Sequence, residues 1–184
     1  MSEDCQFLNI YVPNDLNITS NKSVMIWIHG GDIIVVTINY RVEVFGFLTT
    51  GNKVLPGNNV LWNQLLAIKW VKENILTFEG NPNSITLFGQ SAGSYDECTL
   101  LILQASGGLF QRVIGESGSC MRPAFIKRIG ADTISKIART SGCPLPISNA
   151  TVTCFCQIPA SQLLNITNII LKISDFGPTI DNDL

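Results

Sequence analysis

Two short, uninterrupted apolar runs, Ser23-Val-Met-Ile-Trp-Ile-His29 and Ile33-Ile-Val-Val-Thr-Ile-Asn39, constrain this chain more than any other feature. Both are rich in β-branched residues and neither alternates with polar ones, which is the pattern of strands covered on both faces of a parallel sheet. Such a sheet needs helices over it, and the sequence supplies them. From Leu61 to Ile75 the apolar residues Leu61, Trp62, Leu65, Leu66, Ile68, Trp70, Val71 and Ile75 recur at helical spacing, with Asn63, Gln64, Lys69, Lys72 and Glu73 filling the other face. Further strands are expected over 5–12, 84–88 and 112–116, and further helices over 92 to about 104, 133–140 and 160–173. The alternation predicts an α/β domain with a mostly parallel sheet flanked by helices. No repeat, low-complexity tract or linker interrupts it, so residues 1–184 read as a single domain.

Composition narrows the function classes. Hydrophobic residues make up 46% of the 184 and charged ones 14%, which excludes a disordered chain. Twelve Lys and Arg against 14 Asp and Glu leave a net charge of −2 with no cationic cluster, so phosphate-backbone binding to nucleic acid is excluded. The longest apolar run, 33–38, is far short of the ~20 residues of a membrane-spanning helix. The opening Met1-Ser-Glu-Asp-Cys5 is polar and acidic, so no signal peptide is expected in the sequence as written.

Six cysteines stand at 5, 98, 120, 143, 154 and 156. Zinc sites use two close Cys/His pairs, and the one close pair here is Cys154-x-Cys156 with a single distant histidine, His29, which weighs against a metal centre. Four Asn-x-Ser/Thr sequons occur, at Asn17, Asn21, Asn149 and Asn165. Together these features point to an oxidising, extracellular or secretory-lumen location.

The segment that carries chemistry is Gly89-Gln-Ser-Ala-Gly93, a Gly-x-Ser-x-Gly pentapeptide between an expected strand and an expected helix. A serine on that sharp turn is held in a strained conformation with its hydroxyl exposed, and the following amide, that of Ala92, points at the same spot beside a helix N-terminus. A second segment, His29-Gly30-Gly31, ends a strand. Its consecutive glycine amides can converge on an oxyanion, and they suit a two-residue hairpin turn equally well.

Together these segments resemble the type-B carboxylesterase and cholinesterase family of α/β-hydrolases. The resemblance runs through Ser2-Glu-Asp-Cys-Gln-Phe-Leu-Asn-Ile-Tyr-Val-Pro13, Trp27-Ile-His-Gly-Gly31, Asn39-Tyr-Arg41, Phe45-Gly-Phe-Leu48, Trp70-Val-Lys-Glu-Asn-Ile75, Phe88-Gly-Gln-Ser-Ala-Gly93 and Gly108-Leu-Phe110 leading to Glu116-Ser-Gly-Ser119, in the family's order. It implies hydrolysis of small-molecule carboxylic esters without a cofactor, with Ser91 as nucleophile and Gly30, Gly31 and Ala92 around the oxyanion. It also implies a disulfide between Cys143 and Cys154, and a partner for Cys5 upstream of Met1.

Departures from the family pattern accompany the resemblance. Asp32 follows Gly31 where the family has a third glycine, an aromatic and a longer stretch, and an anionic side chain is unfavourable beside an oxyanion. Gln90 replaces a usual Glu, Glu43 a usual Gly, and Val60 and Asn63 a Gly and an Asp. Tyr95, Asp96 and Glu97 occupy positions where small or apolar residues are expected, and carboxylates buried there without partners would be costly. The family's triad acid and histidine have no counterpart, since His29 matches the start of the oxyanion loop. No complete triad is encoded, so this chain alone is expected to be inactive.

Adjacent parallel strands need a crossover of about a dozen residues or more, whereas Gly30-Gly31-Asp32 spans only about 10 Å. The flanking strands therefore pair as an antiparallel hairpin, or a segment between Gly31 and Asp32 has been lost. The second reading, a truncated and internally deleted family member with an incomplete fold, also accounts for Cys5 and the missing triad. Two further functional readings stand beside the hydrolase: a non-catalytic adhesion or interaction module, and a product that does not fold stably.

Overall fold

A computed structural model describes residues 6–12, 22–28, 34–118, 126–127, 131–172 and 175–180. His29, Gly30, Gly31 and Asp32, the sequons at Asn17 and Asn21, and Cys5 and Cys120 lie outside the described residues.

The chain divides into two compact units. The first to consider comprises Asp4–Tyr40 and Leu61–Arg122. Among the described residues it holds a five-stranded sheet built from β1 (Leu8–Tyr11), β2 (Lys22–Ile28), β3 (Ile34–Ile38), β4 (Gly80–Gln90) and β5 (Arg112–Glu116), in the order β1-β3-β2-β4-β5. Only β1 runs antiparallel, pairing Leu8 with Ile38; β3, β2, β4 and β5 are mutually parallel. The mostly parallel α/β architecture expected from the apolar runs is thus the one observed.

Val24, Ile26, Ile34, Val36, Ile85 and Leu87 point to one face and are buried there with Leu61, Leu65, Ile68, Val71 and Ile75 from the long helix and Leu100. Burying each of these side chains contributes roughly 1.5–3 kcal/mol. The long helix, α2 (Asn59–Asn74), corrects one expectation. Gln64, assigned to the polar face, is fully buried, whereas Trp62, Leu66 and Trp70 are exposed at 39%, 64% and 38%. Two apolar stripes compete on this helix, and the straight one, Leu61-Leu65-Ile68-Val71-Ile75, takes the sheet; Trp62, Leu66 and Trp70 recur every four residues along its outer side.

The β2–β3 pair also departs from expectation. The two strands are parallel neighbours, with Val24 beside Ile34, so the antiparallel hairpin is excluded. Only residues 29–33 separate them. The stagger makes this possible: Ile28 lies about 13 Å beyond Val24, hence about 14 Å from Ile34, and six Cα steps reach about 20 Å.

The second unit comprises Arg41–Val60 and Pro123–Asp183. Within it α1 (Glu43–Phe47), α4 (Ala131–Thr140), α5 (Asn149–Gln157) and α6 (Ala160–Ile170) bury Val44, Leu48, Ile134, Ile137, Ala138, Phe155 and Leu163. A disulfide joins Cys143 to Cys154, with Cα atoms 5.7 Å apart. Asn58 clamps the 175–180 segment: its Nδ2 donates to the Thr179 carbonyl at 2.7 Å, and its Oδ1 accepts from the Thr179 amide at 2.9 Å.

Candidate active site

Ser91 lies between the last residue of β4 and the first of α3 (Ala92–Ile102). Its φ of 53° and ψ of −112° put a non-glycine residue in a rarely occupied region, where the surrounding structure must hold it. Two backbone hydrogen bonds do so. The Ser91 N–H donates to the Glu116 carbonyl at 2.9 Å, tying the turn to the end of β5, and the Ser91 carbonyl accepts from Tyr95 N–H at 3.2 Å, opening α3. The residue itself is exposed. Ala92, also exposed, is the first helical residue, so its amide lies outside the intrahelical ladder and on the positive end of the helix dipole.

Glycines let the turn close. A Cβ at Gly89 would lie 2.5 Å from Glu97 Oε1 and 2.9 Å from the Gly93 carbonyl carbon, and one at Gly118 would lie 2.6 Å from the Ser94 side chain and 3.1 Å from the Ser91 oxygen. Both glycines are therefore required by close approach of neighbouring atoms to the Ser91 turn. Gln90 is exposed beside Ser91. Glu116, whose carbonyl anchors Ser91, has an exposed side chain.

Beneath the turn lies a feature that residue types alone did not locate. Asp96 and Glu97 on α3 are both buried. Asp96 Oδ2 accepts from Gln64 Nε2 at 2.7 Å, so its burial is partly compensated, whereas neither carboxyl oxygen of Glu97 has a hydrogen-bond partner. Burial pushes the Asp96 carboxyl up to about 7, against the Gln64 hydrogen bond, which favours the charged form. Burial, reinforced by Asp96 and Glu116, pushes Glu97 up to about 8. Burial with Asp96 alongside raises the Tyr40 hydroxyl to about 12. Burial, with repulsion added at Glu97, therefore shifts both carboxyls toward the protonated form near neutral pH. The sequence signal for this cluster is the presence of carboxylates where small or apolar residues are expected; helical spacing assigns Gln64 to the polar face, whereas it is fully buried.

Of the other anticipated sites, Asn149 begins α5 and Asn165 lies in α6, both exposed. Their sequon partners Thr151 and Thr167 are buried. Thr151 Oγ1 accepts from Ser148 N–H at 3.1 Å and lies 2.8 Å from the Pro144 carbonyl. Cys98, for which the sequence offered no role, is disulfide-bonded, and Cys156 is a free, exposed thiol. Among the described residues no three His, Cys, Asp or Glu side chains are grouped to hold a metal, and no helix is long and apolar enough to cross a membrane.

Comparison with known proteins places the chain in a family. The profile of the carboxylesterase family matches in two stretches, residues 1–33 and 31–184. Pyrethroid hydrolase Ces2e of Rattus norvegicus is 36% identical over 193 residues, covering 95% of this chain and 34% of that protein. Carboxylesterase 5A of Mus musculus is 36% identical over 203 residues, covering 98% and 35%. A carboxylic ester hydrolase of Bombus ignitus is 38% identical over 198 residues, covering 97% and 36%. The chain thus spans about a third of the length of the curated relatives it matches. On the two-stretch match, the parallel sheet and the strand–serine–helix turn, the chain belongs to the carboxylesterase family.

Proposed function

We propose that this chain carries the nucleophile of a serine carboxylic ester hydrolase. The single observation that supports this most is the exposed Ser91 at φ 53°, next to the first-turn amides of α3, which a helix leaves outside its own hydrogen-bond ladder. In the reaction Ser91 Oγ forms a bond to the ester carbonyl carbon and gives up its proton to a base. The carbonyl π electrons move to oxygen, where the amide of Ala92, with those of Gly30 and Gly31, stabilises the oxyanion. Collapse breaks the bond to the alkoxy oxygen, which takes the proton and leaves as alcohol; water then hydrolyses the acyl-enzyme by the reverse sequence. No cofactor enters the scheme.

The base is not supplied by this chain. Its one histidine, His29, matches the start of the oxyanion loop, so the 184 residues are inactive alone and the hydrolase is a longer product. The family match breaks at 31–33, which supports the loss of a segment there. Both compact units belong on this reading to one partial carboxylesterase domain, since the family match runs through them. The disulfides and the exposed Asn149 and Asn165 suit a secreted or lumenal glycoprotein.

A non-catalytic interaction module is the second reading, favoured by the single histidine. Labelling with a fluorophosphonate probe separates the two. A longer product containing this segment is expected to label, and Ser91→Ala to abolish the label, with the 184-residue form labelling weakly if at all. Labelling that survives Ser91→Ala overturns the assignment of the nucleophile, and a folded longer product that never labels favours the interaction module.

A further inference from the structure

Glu97 is a buried ionisable group for which the hydrolysis scheme has no use, and its position gives it one. It stands in the second turn of α3 and is fully buried, with neither carboxyl oxygen hydrogen-bonded among the described residues. A helical side chain leans back toward the N-terminus, over the residue four positions earlier, which here is Gly93. The packing at Gly89 agrees. A Cβ there would lie 2.5 Å from Glu97 Oε1 and 3.1 Å from the Gly93 carbonyl oxygen. The carboxyl therefore fills the place that a side chain at 89 would take, between the end of β4 and the first turn of α3, the two segments that Ser91 joins.

The polar surroundings decide which form of the carboxyl fits. Gly93 presents a carbonyl oxygen to it. Asp96 on the same helix and Glu116 at the end of β5 act on Glu97 as like charges. The Tyr40 hydroxyl, after β3, is kept un-ionised by burial first and by Asp96 and Glu97 beside it. On α2 the Gln64 Nε2 donor is engaged by Asp96 Oδ2. Among these described neighbours none donates to Glu97. A neutral carboxylic acid, which brings its own proton to donate, suits such a site; a carboxylate, which only accepts, does not. Ionised, it repels the Gly93 carbonyl and the side chain of Glu116, the residue whose carbonyl holds the Ser91 N–H.

We propose that Glu97 is the positioning residue of the Ser91 turn: as a neutral acid it packs against Gly89 and Gly93 and lets the strand–serine–helix junction close, and on losing its proton it drives that junction open. Opening hydrates Glu97 and restores its ordinary acidity, so the closed form holds a proton that the opened form releases, and rising pH favours opening. The functional meaning rests on the reading of Ser91 as nucleophile, since an opened junction releases Ser91 from φ 53° and turns the first amides of α3 away from an oxyanion. The opening itself does not depend on that reading.

Hydrogen exchange at residue resolution on the 184-residue chain, from pH 5 to pH 8 and corrected for the intrinsic rise of exchange with pH, tests the opening. The amides to follow are those of Ser91 and Tyr95, which donate to the Glu116 and Ser91 carbonyls, with the β2–β3 amides reporting the whole sheet. Protection at the turn is expected to stay below that of β2–β3 and to fall at least about tenfold across the range. Glu97→Gln keeps the shape and a donor without the charge, and is expected to hold the change within about threefold, whereas Asp96→Asn retains the fall. Glu97→Leu, equally unable to ionise, serves in its place if the amide variant does not fold. A fall that survives both Glu97 variants overturns the proposal, as do turn amides that exchange only together with β2–β3. In a longer product that labels with the fluorophosphonate probe, the ratio of Glu97→Gln to wild-type labelling rates is expected to rise at least about threefold from pH 6.5 to pH 8.5. A flat ratio overturns the positioning role; a folded longer product that never labels overturns the reading of Ser91 instead, and the exchange result then decides the proposal alone.

Discussion

Gln64 Nε2 donates to Asp96 Oδ2 across 2.7 Å, joining α2 to α3 through two buried side chains 32 residues apart in the chain. This bond compensates the burial of one of two adjacent carboxyl groups beneath the Ser91 turn; among the described residues neither oxygen of the other, Glu97, has a hydrogen-bond partner. Replacing Gln64 by Leu keeps the volume and removes the donor, leaving Asp96 buried without its partner. The expected loss is about 1.5–3 kcal/mol at pH 8, read by urea denaturation, and smaller at pH 5, where Asp96 is protonated.

Stability should fall as pH rises. Asp96 and Glu97 have folded values near 7 and 8, above their ordinary 3.8 and 4.5. Between those limits the folded chain holds protons that the unfolded chain has released, so each pH step upward favours unfolding. The effect begins above about pH 4 and saturates above the folded values, on the order of a few kcal/mol in total. Thermal melts from pH 5 to pH 8.5 measure it. Glu97→Gln should flatten the profile and raise the melting temperature at pH 8; an unchanged slope would show that these carboxyls are not the source.

Gly89→Ala should destabilise the chain by roughly 1–3 kcal/mol. The added methyl meets Glu97 Oε1 and, less able to yield, the Gly93 backbone. Adding Glu97→Ala removes the side-chain part of the clash and leaves the backbone part, so a partial rescue is expected in a double-mutant cycle.

The Cys143–Cys154 disulfide closes a loop of sequence separation 11. Removing it with Cys143→Ala and Cys154→Ala should cost up to about 3 kcal/mol by loop-closure entropy. Intact mass with thiol alkylation, before and after reduction, reports whether the bond is present; denaturant titration reports its contribution.

The sheet was legible because its central strands are continuous apolar runs whose burial does not depend on which face is considered. β5 was read to the residue, and β4 as the core of a longer strand. Helix α2 was found, but its orientation was misread. Trp62 and Trp70 are large and apolar, and pattern alone cannot tell that the neighbouring Leu61-Leu65-Ile68 stripe takes the core. α5 escaped because Asn149, Thr151, Thr153 and Cys154 favour helix weakly. α1 is only five residues, opens at Glu43 with φ 52° and contains Gly46. At the site, Gly89 to Gly93 revealed the serine turn because its constraint is local. The Gln64–Asp96 pairing is non-local, and nothing in either segment alone encodes it.

The five-residue connection between β2 and β3 has a consequence for how the chain assembles. Val24 pairs with Ile34 across ten positions, whereas parallel neighbours ordinarily wait for a crossover helix to bring them together. Closing so small a ring sacrifices little chain entropy, which makes this half of the sheet unusually local in sequence. The centre of the sheet can therefore nucleate before α2 or α3 is in place, and the turn bearing Ser91 is added to a platform already formed.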